Sequence, residues 1–194
     1  MDVFAKWIRI NKEAHQSRGL TGMVPWVTTG FDGVLEPPQV LAQVVHMLAG
    51  GCTGFNLFCS AADGDWDSWA NMLSFSRAVE LVLPYEAIIA DGSVAYEAVV
   101  QAASSNVLAV SAMTHEQRYL IALSARDGSA PMQVALNASA SPQEYELVDA
   151  LSGKATPLPK AGRDLLQFSV QQRQGEEFAL VVVQPKRAAA YEYW

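Results

Sequence analysis

The chain is poor in residues that cross-link a fold or bind metals. Its 194 residues include two cysteines and three histidines. Cys52 and Cys59 lie seven residues apart in one apolar stretch, and strand alternation would place them on opposite faces, which argues against their pairing. No Cys/His cluster has the spacing of a zinc site. We therefore expect neither a disulfide framework nor a bound zinc ion.

Positive charge is also scarce. The 13 lysines and arginines are outnumbered by 20 aspartates and glutamates, and the formal net charge is -7. Because nucleic-acid binding requires a basic surface, we expect no nucleic-acid partner. No apolar run reaches the roughly 18 residues that cross a bilayer, and the charged N-terminus does not resemble a secretory leader. We expect a soluble chain with no membrane partner, cytoplasmic if it is complete.

Motifs of several common active sites are missing. There is no G-x-S-x-G nucleophile elbow and no G-x-G-x-x-G or phosphate-binding loop. The acidic run that begins at Asp63 fails as an EF-hand loop, because Ser68 and Ser74 occupy the positions that require glycine and a carboxylate. The sequence thus predicts no nucleotide, no metal and no other cofactor.

The first half of the chain alternates helical and extended patterns. Pro37-Pro38 is expected to open a helix over 39–48, and Asp67 or Ser68 to cap another that runs from 69 to about 82. The apolar runs 23–29 and 53–60 precede these helices and predict strands. Short joins between such elements are typical of parallel βα units.

The second half changes to a period of two. Alternating patterns separated by turn residues predict six short strands in an antiparallel sandwich or meander, at 106–112, 118–125, 132–138, 144–150, 165–171 and 178–184.

Acidic residues are concentrated in the two loops that follow the first two predicted strands. Between Gly19 and Ser76 there is no lysine or arginine, and all the acids fall in 29–36 and 60–69: Asp32, Glu36, Asp63, Asp65 and Asp67. In parallel α/β folds, ligands meet the loops at the C-terminal ends of strands. This charge disfavours anions and favours neutral polyols or cations.

Aromatic residues accompany these acids, notably Trp26, Phe31, Trp66 and Trp69. A sugar ring packs its C–H face on an aromatic side chain while carboxylates accept its hydroxyl protons. The competing interpretation is that Trp26 and Trp69 are core residues and that the acids are solvated helix caps.

Glycoside hydrolysis requires two carboxyl groups about 5 to 9.5 Å apart. Asp63 and Asp65 are candidates for such catalytic groups. They can equally be neighbours on a loop that never face a substrate.

A set of short motifs runs through the first half: an apolar strand with Trp26, Pro37-Pro38 opening a helix that ends at Gly50-Gly51, Gly54-Phe55-Asn56 starting a strand, and Asp91-Gly92 after the last helix. In this order they resemble the end of a (β/α)8-barrel glycoside hydrolase. Residues 106–187 are similar to the all-β domain that often follows such barrels.

The resemblance implies an α/β plus all-β fold. Its parts would be a partial (β/α)-barrel segment with the seventh and eighth strands, a connector, an antiparallel β-sandwich domain and a tail, at 1–92, 93–105, 106–187 and 188–194.

The resemblance also implies a carbohydrate substrate and a sugar pocket. Trp26 and Trp66 would stack on the sugar, and Asp32 and Asn56 would bind hydroxyls, as would Asp63 or Asp65. The strand assigned as the seventh ends in Thr28-Thr29-Gly30, with no acid at its tip. The catalytic acids are therefore expected outside this chain, which alone is expected to be inactive.

Two other interpretations stay open: a non-catalytic carbohydrate- or protein-binding module, and an unrelated α/β plus all-β protein. A quarter of a barrel leaves strand edges and helix faces uncovered, and such surfaces promote association. We expect the isolated chain to self-associate through these edges unless the β-domain covers them.

Overall fold

The computed structural model describes most of the chain, namely residues 7, 10–12, 14–15, 17–19, 22–28, 35–58, 67–95, 100–138, 144–159 and 165–186. Within these ranges, helices and two parallel strands come first, and nine antiparallel strands follow. None of the described helices is both long and apolar enough to cross a membrane.

The helical layer consists of α1 (Pro37–Ala49), α2 (Asp67–Val82), a 3-10 turn (Leu83–Tyr85) and α3 (Glu86–Ala90). The two prolines occupy the first positions of α1, where a missing N–H loses no hydrogen bond, and Gly50 follows its last residue. The predicted α1 is confirmed. Asp67 was predicted as a possible cap of the second helix, and it is the first residue of α2 in the described part of the chain.

Strands β1 (Trp26–Thr28) and β2 (Asn56–Phe58) form a two-stranded parallel sheet in which Trp26 pairs with Asn56. The N–H of Asn56 also donates to the carbonyl of Pro25 at 2.9 Å. Because α1 lies between them in the chain, the two strands and the helix form the βαβ order that the first half of the sequence predicts. Both strands begin three residues after the start of the predicted runs, and residues 22–25 before β1 have no regular secondary structure.

The second half forms two antiparallel sheets. Their strands are β3 (Ser93–Val94), β4 (Val100–Ala102), β5 (Val107–His115), β6 (Arg118–Ala125), β7 (Met132–Asn137), β8 (Tyr145–Asp149), β9 (Ala155–Leu158), β10 (Leu165–Val170) and β11 (Ala179–Pro185). One sheet has the order β3-β5-β6-β11-β8-β9, and the other has the order β10-β7-β4. All six predicted strands are present.

Three strands were not predicted, namely β3, β4 and β9. Each is two to four residues long and lies at the edge of its sheet. Edge strands need no strict alternation, and they tolerate residues such as Pro157 in β9 because one side of the backbone has no partner. As a result, the segment 93–105, expected to be a connector, contains two short strands.

The six-stranded sheet is buried on both faces. One face packs against the three-stranded sheet through residues such as Ile121, Leu136 and Phe168, an arrangement compatible with a β-sandwich. The opposite face, including Leu120 and Val182, packs against the helical layer. Double-sided burial explains why β6 and β11 are almost continuously apolar.

Candidate functional site

The pairing of β1 with β2 brings two of the predicted sugar-pocket positions together. Trp26 and Asn56 are direct partners on β1 and β2. Phe55, the residue before β2, meets Phe75 of α2 edge to face, with ring centroids 4.9 Å apart. Asn56 begins β2, and its side chain is exposed.

The other predicted site residues lie outside the described part of the chain. These are Asp32, Asp63, Asp65 and Trp66, and of Trp26 the structure describes the backbone alone. The sugar-binding and catalytic roles assigned to these residues stay predictions. Of the remaining acids, Glu36 is the N-cap residue of α1, and its N–H donates to Oε1 of Gln39 at 3.2 Å.

Trp69 is not a core residue. Its side chain is 63% exposed on α2, contrary to the interpretation that its indole is buried. It belongs to a group of large apolar side chains left in solvent by α2 and the 3-10 turn, together with Met72, Leu73, Val79 and Leu83.

Position around α2 divides this group in two. Asn71, Ala78 and Val82 mark the buried face. Successive residues of an α-helix are about 100° apart, so Met72 and Val79 lie on one side of the buried face and Arg77 lies on the other. Leu83, in the 3-10 turn, continues the side of Met72 and Val79. We refer to Met72, Val79 and Leu83 as the apolar flank. The flank points away from α1, because Arg77, on the other side of α2, lines the cleft beside the start of α1.

A buried histidine joins the helical layer to the six-stranded sheet. His46 of α1 is fully buried, with Nδ1 3.0 Å from Oγ of Ser111 on β5 and Nε2 3.0 Å from Oγ of Ser124 on β6. The Ser124 hydroxyl donates to the carbonyl of Glu177 at 2.8 Å. It therefore accepts from the imidazole, which assigns the proton to Nε2 and leaves Nδ1 to accept from Ser111.

This environment makes His46 a neutral structural residue. Burial lowers the pKa of His46 to about 3, since the charged form would lose its hydration. Sequence reasoning missed the network. Its one signal was a histidine at an otherwise apolar stretch of a helix, and that signal does not reveal which strands carry the partners.

Cys52 is poorly suited to nucleophilic chemistry. The thiol is free and buried, and burial raises its pKa to about 12, with a smaller opposing effect of Lys12. A thiol at that pKa is protonated at neutral pH and unreactive. Among the described residues, no three His, Cys, Asp or Glu side chains are grouped so that they could hold a metal ion.

An open cleft lies where the helical layer meets the turn before β11. Its volume is about 270 Å³, and its walls are Pro37, Pro38, Leu41, Leu73, Ser74, Arg77, Gly175 and Glu176. Arg77 donates to Oε1 of Glu176 at 3.2 Å across this cleft. No local pattern predicts this pair, because its two residues are 99 positions apart.

Two buried amides near α1 and α2 are poorly satisfied. Asn71 is buried, and within the described residues neither its Oδ1 nor its Nδ2 has a hydrogen-bond partner. Oε1 of Gln43 on α1 is in the same situation.

The fold is similar to solved glycoside hydrolases. Thermotoga maritima alpha-fucosidase in complex with a mechanism-based inhibitor aligns over 82% of this chain and 39% of its own, with 12% identity and a TM-score of 0.51. The same enzyme in complex with fucose aligns over 82% of this chain and 38% of its own, with 12% identity and a TM-score of 0.50. A GH30 endoxylanase from Clostridium papyrosolvens aligns over 89% of this chain and 44% of its own, with 12% identity and a TM-score of 0.47.

The chain has a fold similar to part of a glycoside hydrolase. It spans about two fifths of the length of the alpha-fucosidase structures. No protein-family model and no curated protein matches the sequence. At such identities the likeness concerns the fold, and activity has to be argued separately.

Proposed function

We propose that the chain is the C-terminal portion of a carbohydrate-active glycoside hydrolase that contributes sugar-pocket loops but not the full catalytic apparatus. In this proposal, 1–92 supplies the last two βα units of a (β/α)8 barrel and 106–187 an appended β-sandwich, with 93–105 joining them and 188–194 as a tail.

The observation that carries the proposal is the parallel pairing of Trp26 with Asn56 next to the helical layer. Two parallel strands cannot form a closed barrel, so further strands would have to pair with their edges. The apolar flank supports the same idea, because Met72, Val79 and Leu83 point where a neighbouring helix of the ring would pack. The similarity to alpha-fucosidase over 82% of the chain agrees with this order of elements.

The proposed sugar pocket combines Trp26 and Asn56, the first residues of β1 and β2, with Asp32 and Trp66 from the loops that follow these strands. The tryptophans would stack on the ring, and Asp32 and the exposed amide of Asn56 would bind hydroxyls. Hydrolysis would require a general acid and a second carboxylate on strands outside this chain.

The test compares this chain with a longer product of the same reading frame, extended upstream in genomic DNA. We expect the extension to encode six further βα units with two acids. The longer protein should hydrolyse aryl glycosides, including an aryl α-L-fucoside, and the 194-residue chain should show weak or no turnover.

Two results would contradict the proposal. One is an upstream region with a promoter and stop codons in place of coding sequence. The other is robust turnover by the 194-residue chain that disappears in both Asp63→Asn and Asp65→Asn. In the longer protein, Trp66→Ala should weaken sugar binding; an unchanged affinity would remove Trp66 from the site.

The alternative is a non-catalytic carbohydrate- or protein-binding module. The exposed apolar flank also favours this alternative, because such a surface suits a protein partner. The upstream sequence discriminates between the two, since a module needs no further βα units.

A further inference from the structure

We propose that the cleft between α1, α2 and the turn before β11 binds a neutral saccharide, separately from the sugar pocket at the strand ends. The cleft opens beside the start of α1 and the middle of α2, whereas the strand-end pocket is built around β1 and β2. The inference goes beyond the proposed function, because binding here requires no catalytic group.

The polar groups of the cleft suit sugar hydroxyls. The ion pair joins one guanidinium nitrogen of Arg77 to one carboxylate oxygen of Glu176, so further N–H donors and a second acceptor oxygen stand side by side. Adjacent hydroxyls of a pyranose can accept hydrogen bonds from the guanidinium N–H groups and donate to the second carboxylate oxygen. Pro37, Pro38 and Leu41 supply the apolar wall against which C–H groups pack.

Charge selects a neutral ligand over an ionic one. Arg77 and Glu176 neutralise each other across the cleft. An anion would have to face Glu176, and residues 20–75, which include the α1 wall, contain no lysine or arginine to offset that repulsion. A cation would be opposed by Arg77 in the same way.

The two walls are held in fixed positions by buried hydrogen bonds. Gln172 is buried and accepts from the N–H of Ala125 at 3.0 Å while its amide donates to the carbonyl of Glu176. The neighbouring carbonyl of Glu177 accepts from Ser124, which in turn binds His46 of α1. The turn with Glu176 and the helix with Pro37 are therefore linked through one network, and such preorganisation reduces the entropic cost of binding.

An aromatic residue lies beyond the cleft on the same row of α2. Trp69, Leu73 and Arg77 follow at intervals of four residues and form one ridge, about 12 Å long at the rise of an α-helix. The indole of Trp69 is mostly exposed at the end of that ridge. This length and the apolar platform favour an oligosaccharide over a single sugar.

The test measures binding of xylotetraose to the 194-residue chain by calorimetry, with trigalacturonate as an anionic comparison. We expect a dissociation constant on the order of 1 mM for xylotetraose and no binding of trigalacturonate. Trp69→Ala, Arg77→Gln and Glu176→Gln should each weaken binding of xylotetraose about tenfold, the loss expected of the few residues that dominate a binding site.

Matched variants separate this site from others. Arg173→Gln removes a second exposed ion pair, to Asp149 at 2.9 Å, and should leave binding unchanged. Asn56→Ala alters the proposed sugar pocket, so loss of xylotetraose binding in this variant alone would place the binding there. Circular dichroism checks that each variant is folded.

Three results overturn the inference: no binding at ten times the expected dissociation constant, binding unaffected by the three cleft variants, or binding lost in Asn56→Ala alone. None of these depends on hydrolysis. Failure here therefore leaves the proposed function intact, and failure of the longer protein to hydrolyse glycosides leaves the cleft binding intact.

Discussion

At the scale of single residues, His46 joins the two parts of the fold through hydrogen bonds. It satisfies both ring nitrogens with serines from two strands. In the neutral form Nδ1 accepts from the Ser111 hydroxyl, whereas protonation of Nδ1 would force that hydroxyl to turn and accept instead. The protonation state of one side chain is thus coupled to the contact between α1 and the six-stranded sheet.

This coupling predicts a pH dependence of stability. The pKa of His46 is about 3 in the folded chain and near 6.5 when unfolded, so the unfolded state binds more protons between these values. Stability should be fully present above about pH 6.5 and decrease as the pH falls toward 3, with a slope of up to about 1.4 kcal/mol per pH unit. Urea unfolding at several pH values measures the slope.

The variant His46→Gln provides the control. Glutamine can both donate and accept but does not titrate. The slope of the unfolding free energy against pH should therefore become shallower between pH 4 and pH 6, by up to about 1.4 kcal/mol per pH unit. Above pH 7, the difference in unfolding free energy between wild type and variant should stay constant. Equal slopes for wild type and variant would show that His46 is not responsible.

Asn71 predicts an unusual gain of stability. A buried amide without partners costs about 1–3 kcal/mol, and within the described residues Asn71 has none. Asn71→Leu keeps the branched shape and the number of heavy atoms and should raise the free energy of unfolding by about 1 kcal/mol. Asn71→Asp, which adds a charge at the same position, should lower it. Urea unfolding compares the three chains, and a destabilised Asn71→Leu would refute the argument.

At the scale of elements, α2 is the helix whose surface is least covered. Its inner face packs with α1 through Ala78 and Val82, whereas Met72 and Val79 are 46% and 41% exposed and Leu83, in the 3-10 turn that follows, is 58% exposed. The six-stranded sheet packs against the inner side of the helical layer and leaves this flank open.

We expect the isolated chain to self-associate through the apolar flank. The double variant Met72→Glu/Leu83→Glu should shift it toward the monomer, because carboxylates at an apolar contact would be desolvated without partners. Size-exclusion chromatography with light scattering measures the mass. Gln167→Glu, which adds an acid at an exposed position of β10, should leave the mass unchanged, and a monomeric wild-type chain at micromolar concentration would contradict the expectation.

The elements also show how far the sequence alone can lead. Helix α1 and the six longer strands follow from apolar periodicity and turn residues, which are local signals. Strands β3, β4 and β9 form because a partner strand is available, so their own residues carry little pattern. The contacts of His46 with Ser111 and Ser124, and of Arg77 with Glu176, join residues 65 to 99 positions apart. A single sequence does not encode such pairings locally.

At the scale of the whole molecule, the six-stranded sheet depends on the helices to bury one of its two faces. Leu120, Phe178, Leu180 and Val182 are nearly inaccessible and pack in the same cluster as α1 and α3. The antiparallel part is therefore covered on one side by the residues that precede it.

We predict that residues 93–194 expressed alone will expose this face. They should aggregate or bind an apolar dye such as ANS, whereas the 194-residue chain should bind less of it. Fluorescence of the dye and light scattering make the comparison. A fragment that stays monomeric without dye binding would mean that the all-β part is an independent domain and that its contact with the helices is incidental.

The shared core at Leu120 and Val182 sets where this architecture can be recombined. A chimera joined near residue 92 would unite a sheet with helices that did not evolve to fill its grooves, and the imidazole of His46 would meet side chains other than its two serines. Grafts that retain β1 through β11 as one cassette, with the breakpoint upstream of the first parallel strand, should transfer intact to a foreign scaffold.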